Sequence, residues 1–287
     1  MALDQAVDSL SIRDGNIPVK VKQEQLHEGS FRRNRDVLGR GSYSTVFSAT
    51  HVSSGSLVAL KEISLQWICN PAVKDQLKHE INVHRRLRHP HIVRMFSYYF
   101  SHESLVIVME LCVKGSIRDK LDRDGPFKEA RASRYVRQTA RAIQYLHANR
   151  IAHRDIKLEN ILLDNNGVAK LADFGWSTLT GESSRKTVCG TLDYLSPEML
   201  AGSHTSKTDV WSLGVGLVEM ITGSPPFFNI SEQETVRNIK EAQPSLPTTL
   251  SLELKSLILE MLQKDPDQRI SIDDVLANPW VNHDKRQ

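Results

Sequence analysis

Two aspartates, an asparagine and a lysine stand at spacings that suit the transfer of a phosphoryl group. Asp155, Lys157 and Asn160 lie in one motif that reads H-R-D-I-K-L-E-N, and Asp173 follows Asn160 by thirteen residues in the tripeptide D-F-G. Phosphoryl transfer needs metal ions that neutralise phosphates, a carboxylate that orients a hydroxyl and accepts its proton, and a lysine that steadies the transferring group. Asp173 and Asn160 are suited to bind the metal, Asp155 to accept the proton, and Lys157 to steady the transferring group.

The N-terminal part of the chain adds residues that suit phosphate binding. The segment that begins at Gly39 reads G-R-G-S-Y-S-T-V, and Gly39 and Gly41 let backbone N–H groups approach phosphate oxygens. Ser44 occupies the third glycine position of the pattern G-x-G-x-x-G, so an ordinary hairpin turn stays an alternative for this segment alone. Taken singly, Lys61 and Glu80 are more typical of solvated surface charges than of a functional site. Their order and spacing favour a lysine that grips phosphates and a glutamate that holds it in place.

The elements that must position these residues are of two kinds. Residues 1–30 show no clear periodicity and are treated as an extension. From Arg35 to about Met109 the chain is β-rich, and one helix over about Val73–Leu87 interrupts the strands. Short apolar or alternating runs predict those strands at Val46–Ala49, Leu57–Ile63 and Leu105–Met109.

The half of the chain beyond Gly115 is predicted to be mainly helical, with Pro225-Pro226 and Gly125-Pro126 in loops. Its helical patterns cover Ala130–Ala148, Asp209–Ile221, Ser231–Glu241 and Leu252–Leu262. The predicted fold is therefore α+β, with a small β-rich lobe that contains one helix and a larger, mainly helical lobe.

Composition narrows the classes of function. Of 287 residues, 40% are hydrophobic and 25% are charged, which is typical of a folded globular protein. The formal net charge of +3 is spread along the chain, which argues against nucleic acid as a direct partner. Cys69, Cys112 and Cys189 show no metal-ligand spacing, and a reducing compartment fits them best. The N-terminus lacks a signal-peptide pattern, and the most apolar window, Leu105–Val113, is too short to cross a membrane.

In their order and spacing these motifs resemble the eukaryotic protein kinases, from about residue 35 to residue 282. Ser196–Glu198 matches the A-P-E element, Asp209–Gly214 matches the helix that anchors the catalytic loop, and Arg269 matches the partner of Glu198. The resemblance implies a bilobal protein kinase fold. It divides the chain into an extension (1–30), a catalytic domain (31–282) with an N-lobe (about 31–109), a hinge (about 110–114) and a C-lobe (about 115–282), and a tail (283–287).

The resemblance also assigns roles and cofactors. Lys61 would contact the α- and β-phosphates of ATP and pair with Glu80, Asp173 and Asn160 would hold Mg²⁺, and Asp155 would be the catalytic base. Backbone groups of the hinge would hydrogen-bond adenine, and Met109 would limit the pocket behind it. The residues expected to contact ATP are Leu38, Gly39, Gly41, Ser42, Val46, Ala59, Lys61, Met109, Glu110 and Cys112.

The class of substrate follows from the same resemblance. Lys157 in the catalytic loop, together with Thr191, resembles the pattern of serine/threonine kinases. Tyrosine kinases usually carry an Ala/Arg arrangement in the catalytic loop. Glu159 would read an arginine two positions upstream of the target hydroxyl. Ser116 stands where basophilic relatives keep a glutamate, so preference for a more distant arginine is not expected. The expected partners are protein substrates.

Within the family the activation segment resembles that of the Aurora kinases. The segments Asp173–Ser177, which reads D-F-G-W-S, and Val188–Leu195, which reads V-C-G-T-L-D-Y-L, carry this similarity. The alternative for Trp176 is that it packs under the helix that contains Glu80, as any large residue could. The polo-like kinases are the nearest rival subfamily. His84 is polar at a position that is apolar in most kinases. Either it weakens the docking of the helix and leaves room for an activating partner, or it is a buried, hydrogen-bonded histidine.

Regulation and cellular role are also implied by the Aurora resemblance. Thr187 is the expected regulatory phosphosite, with Arg154, Arg185 and His79 as contacts of its phosphate. The resemblance implies a role in mitosis and cell division, an intracellular location in nucleus or cytoplasm at chromosomes, centrosome or spindle, and an activating scaffold or microtubule-associated activator docked on the N-lobe. No membrane partner is expected.

Two rival functions are weighed against this one. A pseudokinase scaffold commonly lacks the lysine, the base or the metal-binding aspartate, whereas this chain retains Lys61, Asp155 and Asp173. A kinase of small molecules is disfavoured by the complete activation segment, which ends at Ser196–Glu198.

Overall fold

The computed structural model describes residues 26–41, 44–175, 177–179 and 191–282. Its first part is an antiparallel sheet with the strand order β1-β2-β3-β5-β4. The strands are β1 (Phe31–Arg40), β2 (Ser44–His51), β3 (Leu57–Ser64), β4 (Met95–Phe100) and β5 (Ser104–Glu110). All three strands predicted from the sequence are confirmed as parts of β2, β3 and β5.

The register of this sheet decides which residues share the face toward the cleft. Lys61 lies opposite Val46 on β2 and opposite Ile107 on β5, and Ala59 lies opposite Met109. Directly paired residues point to the same side of a sheet. Val46, Ala59, Lys61 and Met109, four of the predicted nucleotide contacts, therefore lie on one face.

A short helix α1 (Leu65–Ile68) and the longer helix α2 (Pro71–His84) follow β3. The side chain of Asn70 caps α2 by accepting a hydrogen bond of 3.0 Å from the backbone N–H of Ala72, and proline occupies the first turn, where its missing N–H costs nothing. The predicted helix is confirmed, but this cap places its start two residues before Val73. One face of α2 packs against the sheet in a cluster formed by Ile63, Ile68, Leu77, Ile81, Met95, Leu105 and Ile107.

The C-terminal part is helical. Its helices are α3 (Ile117–Asp124), α4 (Glu129–Ala148), α5 (Pro197–Leu200), α6 (Lys207–Thr222), α7 (Glu232–Glu241), α8 (Leu252–Met261), α9 (Ile272–Ala277) and α10 (Pro279–Asn282). Helix α6 is buried on all sides between Thr208 and Met220, as expected for a helix at the centre of a core. Trp211 on this helix stacks on Phe227 at a ring distance of 5.2 Å. The predicted α+β fold is confirmed.

Two small two-stranded sheets lie between the lobes. They pair β6 (Ile151–Ala152) with β9 (Thr178–Leu179), and β7 (Ile161–Leu163) with β8 (Ala169–Leu171). These pairs bring the segment that contains Asp155 next to the one that contains Asp173.

The predicted pair of Arg269 and Glu198 is confirmed. Two parallel hydrogen bonds of 2.7 and 3.0 Å join the guanidinium to the carboxylate. The Arg269 side chain is fully buried, and its Nη1 also donates to the backbone oxygen of Lys207 at 2.8 Å. This pair fixes α5, directly after the activation segment, to the body of the C-terminal lobe.

Among the described residues, no helix is both long and apolar enough to span a membrane.

Candidate active site

The cleft between the sheet and the helical part contains a lysine held by two carboxylates. Nζ of Lys61 lies 2.6 Å from Oε1 of Glu80 and 3.8 Å from Oδ1 of Asp173. The strand β3 places Lys61, α2 places Glu80, and the turn after β8 places Asp173. Three separate elements must therefore be in register for this cluster to form, which makes the contact a marker of an assembled site.

Electrostatics keep Lys61 and Asp173 charged. Burial alone would lower the pKa of Lys61, but the carboxylates of Glu80 and Asp173 together outweigh burial and raise it. The positive charge of Lys61 is the main reason that the pKa of Asp173 is lowered, against the opposing effect of burial. At neutral pH the cleft therefore presents an ammonium group and an ionised carboxylate.

A second cluster lies on the loop between β6 and β7. Nδ2 of Asn160 donates to the backbone oxygen and to Oδ2 of Asp155, both at 2.8 Å. Nζ of Lys157 lies 3.1 Å from the same Oδ2 and donates to Oγ1 of Thr191 at 3.3 Å. The carboxylate of Asp155 is thus oriented from two sides, and Lys157 bridges it to the end of the activation segment.

Helix α6 holds this loop through one buried carboxylate. Asp209 is fully buried and accepts hydrogen bonds from the backbone N–H of His153 (3.0 Å) and of Arg154 (2.9 Å). Nε2 of His147 donates to it at 2.8 Å. Although burial acts to raise the pKa of Asp209, these hydrogen bonds and the nearby histidines lower it.

The backbone conformation at Arg154 and at Asp173 depends on hydrogen bonds of this kind. Arg154 and Asp173 have φ angles of 69° and 61°, a left-handed region that is unfavourable for residues other than glycine. Such strain persists only where surrounding contacts impose it, and the hydrogen bond from Arg154 to Asp209 is one of those contacts. At Asp173, Oδ1 accepts a hydrogen bond of 3.3 Å from the backbone N–H of Gly175.

Three rings in contact connect α2 to the catalytic loop. Phe174, which is fully buried, lies 4.7 Å from the ring of His84 and 5.1 Å from the ring of His153. Nε2 of His84 donates to the backbone oxygen of Val93 at 2.6 Å. These contacts favour the second of the two interpretations of His84, a buried and hydrogen-bonded histidine. Burial is also the main cause that lowers its pKa to about 4, so the ring is neutral at physiological pH.

The other predicted nucleotide contacts that the structure describes lie on β1, at the turn into β2 and at the hinge. Leu38 and Gly39 belong to β1, and Gly41 lies at the turn into β2, where an added Cβ would come within 3.0 Å of Ser44 Oγ. At the hinge, Glu110 uses its N–H to donate to the backbone oxygen of Arg94. The resemblance to the protein kinases predicts that the carbonyl oxygen of Glu110 binds adenine. Ser42 lies outside the described residues.

Cys112 is buried and its side chain points into the protein. Burial is the main cause that raises the pKa of its thiol to about 12. The side chain of Glu110 turns away from the nucleotide face, since Lys170 contacts it at 2.9 Å. Side chains of the hinge thus support the backbone, which is the part expected to bind adenine.

The predicted metal ligands fit an ion that is bound largely by phosphate oxygens. Asp173 is ionised, and 47% of its side chain is exposed toward the cleft. Asn160 uses its amide nitrogen on Asp155, which leaves the amide oxygen as its metal-binding atom. In the described part of the chain, no three His, Cys, Asp or Glu residues are grouped to hold a metal by themselves. Mg²⁺ is commonly bound through one or two carboxylates together with substrate phosphates.

Comparison with known proteins agrees with this geometry. The family model described as "Protein kinase domain" matches residues 32–281. An Aurora kinase of Candida glabrata is 38% identical over 250 residues, 86% of this chain and 70% of the relative. Aurora kinase B of Danio rerio is 36% identical over 95% of this chain and 85% of its own length. An Aurora kinase of Saccharomyces cerevisiae is 38% identical over 86% of this chain and 68% of its own.

The chain belongs to the Aurora family of protein kinases.

Two residues predicted to regulate an Aurora-type kinase, Thr187 and Arg185, lie outside the described residues, as does Trp176, which carries part of the Aurora resemblance. Arg154 is buried, and its Nη2 lies 2.8 Å from Nε2 of His204. His79 donates from Nε2 to the backbone oxygen of Ser177 at 2.7 Å, so it contacts the start of the activation segment. His79 thus contacts the start of the activation segment, whereas the contact of Arg154 is with His204, beyond the end of that segment.

Sequence reasoning missed a polar network beneath the predicted substrate residue Glu159. Glu219 on α6 accepts hydrogen bonds from Tyr194 and from Nη1 of Arg118, the latter at 2.5 Å. The Tyr194 hydroxyl also accepts a bond of 3.4 Å from the backbone N–H of Leu158. Burial is the main cause that raises the pKa of Glu219. This network supports the catalytic loop at Leu158, whereas Asp209 holds it at His153 and Arg154.

Ser116, considered as a specificity position, has a local structural role. Its Oγ accepts a hydrogen bond from the backbone N–H of Asp119 at 3.0 Å and donates to Oδ2 of Asp119 at 2.7 Å. This is a capping box at the start of α3. The pattern S-x-x-D was the signal in the sequence that could have revealed it.

Proposed function

We propose that this kinase transfers the γ-phosphoryl group of ATP to serine and threonine hydroxyls of proteins, with Mg²⁺ as the metal. The observation that carries the proposal is the cluster around Asp155, whose Oδ2 contacts both Asn160 and Lys157. The closed pair of Lys61 and Glu80 supports an enzyme over a scaffold, because all the groups needed for transfer are brought together.

In the proposed reaction each side chain has a separate task. The bound metal nucleotide supplies the transferable phosphoryl group and neutralises its charge. Lys61, fixed by Glu80, would bind phosphate oxygens, and Asp173 and Asn160 would hold the metal. Asp155 orients the attacking hydroxyl and accepts its proton as the new oxygen–phosphorus bond forms. The bond between the γ-phosphorus and the bridging oxygen breaks at the same time, ADP leaves, and Lys157 stabilises negative charge on the transferring group.

Selectivity for serine and threonine is proposed from the contact between Lys157 and Thr191. This 3.3 Å hydrogen bond joins the catalytic loop to Thr191 beside Asp155, and we infer that it leaves less room than a longer tyrosine side chain would need. The test compares three peptides that differ only in Ser, Thr or Tyr at the acceptor position, with ATP and Mg²⁺. Phosphate on the Ser and Thr peptides supports the proposal, whereas faster transfer to the Tyr peptide would refute it. Absence of transfer with any peptide or activator would favour a scaffold.

Activation by phosphorylation of Thr187 is proposed from the resemblance of the activation segment. Arg154, Arg185 and His79 would contact the phosphate, which carries about two negative charges. Thr187→Ala is expected to lower kcat/KM by at least about tenfold, since charge-assisted hydrogen bonds order such segments. Thr180→Ala in the same segment is the matched control. Near-normal turnover of Thr187→Ala would refute this part of the proposal.

A role in cell division is proposed because the relatives are Aurora kinases. We place the kinase inside the cell, in nucleus or cytoplasm at chromosomes, centrosome or spindle, with an activating scaffold or microtubule-associated protein on the N-terminal lobe. Imaging of the tagged full chain through the cell cycle tests this. Absence of the tagged protein from the spindle, the centrosome and the chromosomes at every stage of the cell cycle would contradict it.

A further inference from the structure

A cavity of about 560 Å³ opens behind the hinge, among α3, the start of α4 and the turn between β7 and β8. None of the residues assigned to ATP, metal or substrate lines it. Five of its lining residues are cations: Lys114, Lys120, Arg123, Arg131 and Arg134. We call these five residues the basic pocket.

The positive charge of the basic pocket is only partly neutralised. Asp124 is the acid that contacts it, and its carboxylate lies 2.9 Å from Nζ of Lys120, 3.1 Å from Nε of Arg123 and 3.0 Å from Nη1 of Arg131. Hydrogen bonds from Lys120 and Arg123 are the main causes that lower the pKa of Asp124 to about 2. Asp124 is therefore fully ionised at neutral pH and offsets one of five positive charges, which leaves four.

The cations are positioned by packing. The guanidinium of Arg131 lies over the ring of Phe127 at 5.2 Å, and that of Arg134 lies over the ring of Tyr135 at 5.1 Å. Both rings are buried, so they form fixed supports. The side chain of Arg131 is nevertheless 42% exposed, and a ligand in solvent can reach it.

The wall of the pocket at the hinge is also rigid. The backbone N–H of Lys114 donates to the oxygen of Leu163 at 3.1 Å, and the N–H of Leu163 donates to the oxygen of Gly115 at 2.8 Å. These bonds tie the hinge to β7. The cations from the hinge and from the two helices thus surround a preformed space, which lowers the entropic cost of binding.

We propose that the basic pocket is a docking site for an acidic segment of a partner protein. Arginine forks bind carboxylates and phosphates through two parallel hydrogen bonds. One phosphate group would supply about two negative charges, whereas the pocket presents four uncompensated positive charges. A segment with several aspartate, glutamate or phosphorylated side chains matches that charge better than one small anion. The volume of about 560 Å³ lies in the range of pockets that bind drug-sized molecules, so the pocket can hold a few side chains of such a segment.

The test measures binding directly and needs no catalytic activity. A fluorescein-labelled peptide with six glutamates is titrated with the full chain, and a glutamine peptide of the same length is the reference. The expected result is saturable binding of the glutamate peptide alone. Arg123→Gln/Arg131→Gln/Arg134→Gln is expected to weaken that binding by at least about tenfold, since several charged contacts are lost.

A matched variant separates a local site from net charge. Arg237→Gln/Lys240→Gln/Lys255→Gln removes the same total charge from exposed positions on α7 and α8. It is expected to change the affinity by less than about twofold. Equal losses in both triple variants, or no binding by the unmodified chain, would overturn the proposal. If the pocket triple variant does not fold by circular dichroism, the single change Arg134→Gln must weaken binding on its own.

Competition identifies the class of ligand. If inorganic phosphate displaces the peptide when both supply the same concentration of negative charge, the pocket is reassigned to small anions. Tighter binding of an oligouridylate of the same charge would reassign it to nucleic acid, and tighter binding of vesicles that contain phosphatidylserine would reassign it to a membrane surface. Each of these three results would overturn the assignment to an acidic protein segment.

Discussion

Replacement of His84 by glutamine is expected to change how the stability of the kinase depends on pH. His84 is 3% exposed, donates to the Val93 backbone oxygen and packs on Phe174. Burial is the main cause of its lowered pKa, to which the positive charges of Lys61 and Arg88 add, while the Val93 hydrogen bond and Asp173 oppose them. Glutamine keeps a hydrogen-bond donor but cannot titrate.

The sign and size of the effect follow from proton linkage. Because the pKa falls from 6.5 to about 4 on folding, the unfolded chain binds the His84 proton more readily. The free energy of unfolding therefore decreases as the pH falls from 6.5 toward 4. At about 1.4 kcal/mol for each pKa unit, the difference of about 2.5 units corresponds to about 3 kcal/mol.

The assay is urea denaturation of the wild type and of His84→Gln at a series of pH values from 7 to the lowest at which both fold. Groups other than His84 titrate in both proteins, so the difference between their stabilities isolates this ring. As the pH falls from 7 to below 4, we expect the free energy of unfolding of the wild type to decrease by about 3 kcal/mol more than that of the variant. Parallel curves for the two proteins would refute the reasoning.

Two further predictions concern buried groups. Arg269→Ala is expected to lower the free energy of unfolding by about 3–5 kcal/mol in chemical denaturation, because Glu198 would remain buried without its partner; a loss below about 1 kcal/mol would contradict this. Iodoacetamide at neutral pH is expected to label the exposed Cys69 and to spare Cys112, whose pKa burial raises to about 12. Equal labelling of the two thiols by peptide mass spectrometry would show that the hinge opens.

The fold and the chemical centre were largely predictable from the sequence because their signals are local. Periodicity gave β2, β3, β5 and α2 to within a few residues, and the catalytic motif predicted Asp155 as the base and Asn160 as a metal ligand. In the structure the two side chains contact each other at 2.8 Å. The pair of Arg269 and Glu198 was predictable only through the resemblance to a family, since 71 residues separate the two.

The remaining features depend on contacts that no local pattern encodes. Arg118 and Glu219 are 101 residues apart, and each alone looks like an ordinary surface charge. The cations of the basic pocket are likewise scattered from Lys114 to Arg134 among acidic residues. At His84, polarity suggested weak docking of the helix, but the carbonyl of Val93 offers the ring a partner that sequence alone does not show.

The measurement that tests the central claim most directly compares Asp155→Asn with Asp173→Asn in ATP binding and in single-turnover phosphoryl transfer. Asp155 faces the acceptor hydroxyl in our account, so Asp155→Asn is expected to bind ATP with Mg²⁺ normally and to lose transfer by at least about a hundredfold. Asp173→Asn is expected to lose transfer and the contribution of Mg²⁺ to ATP binding together. Undiminished transfer by Asp155→Asn would contradict the assignment of the active site.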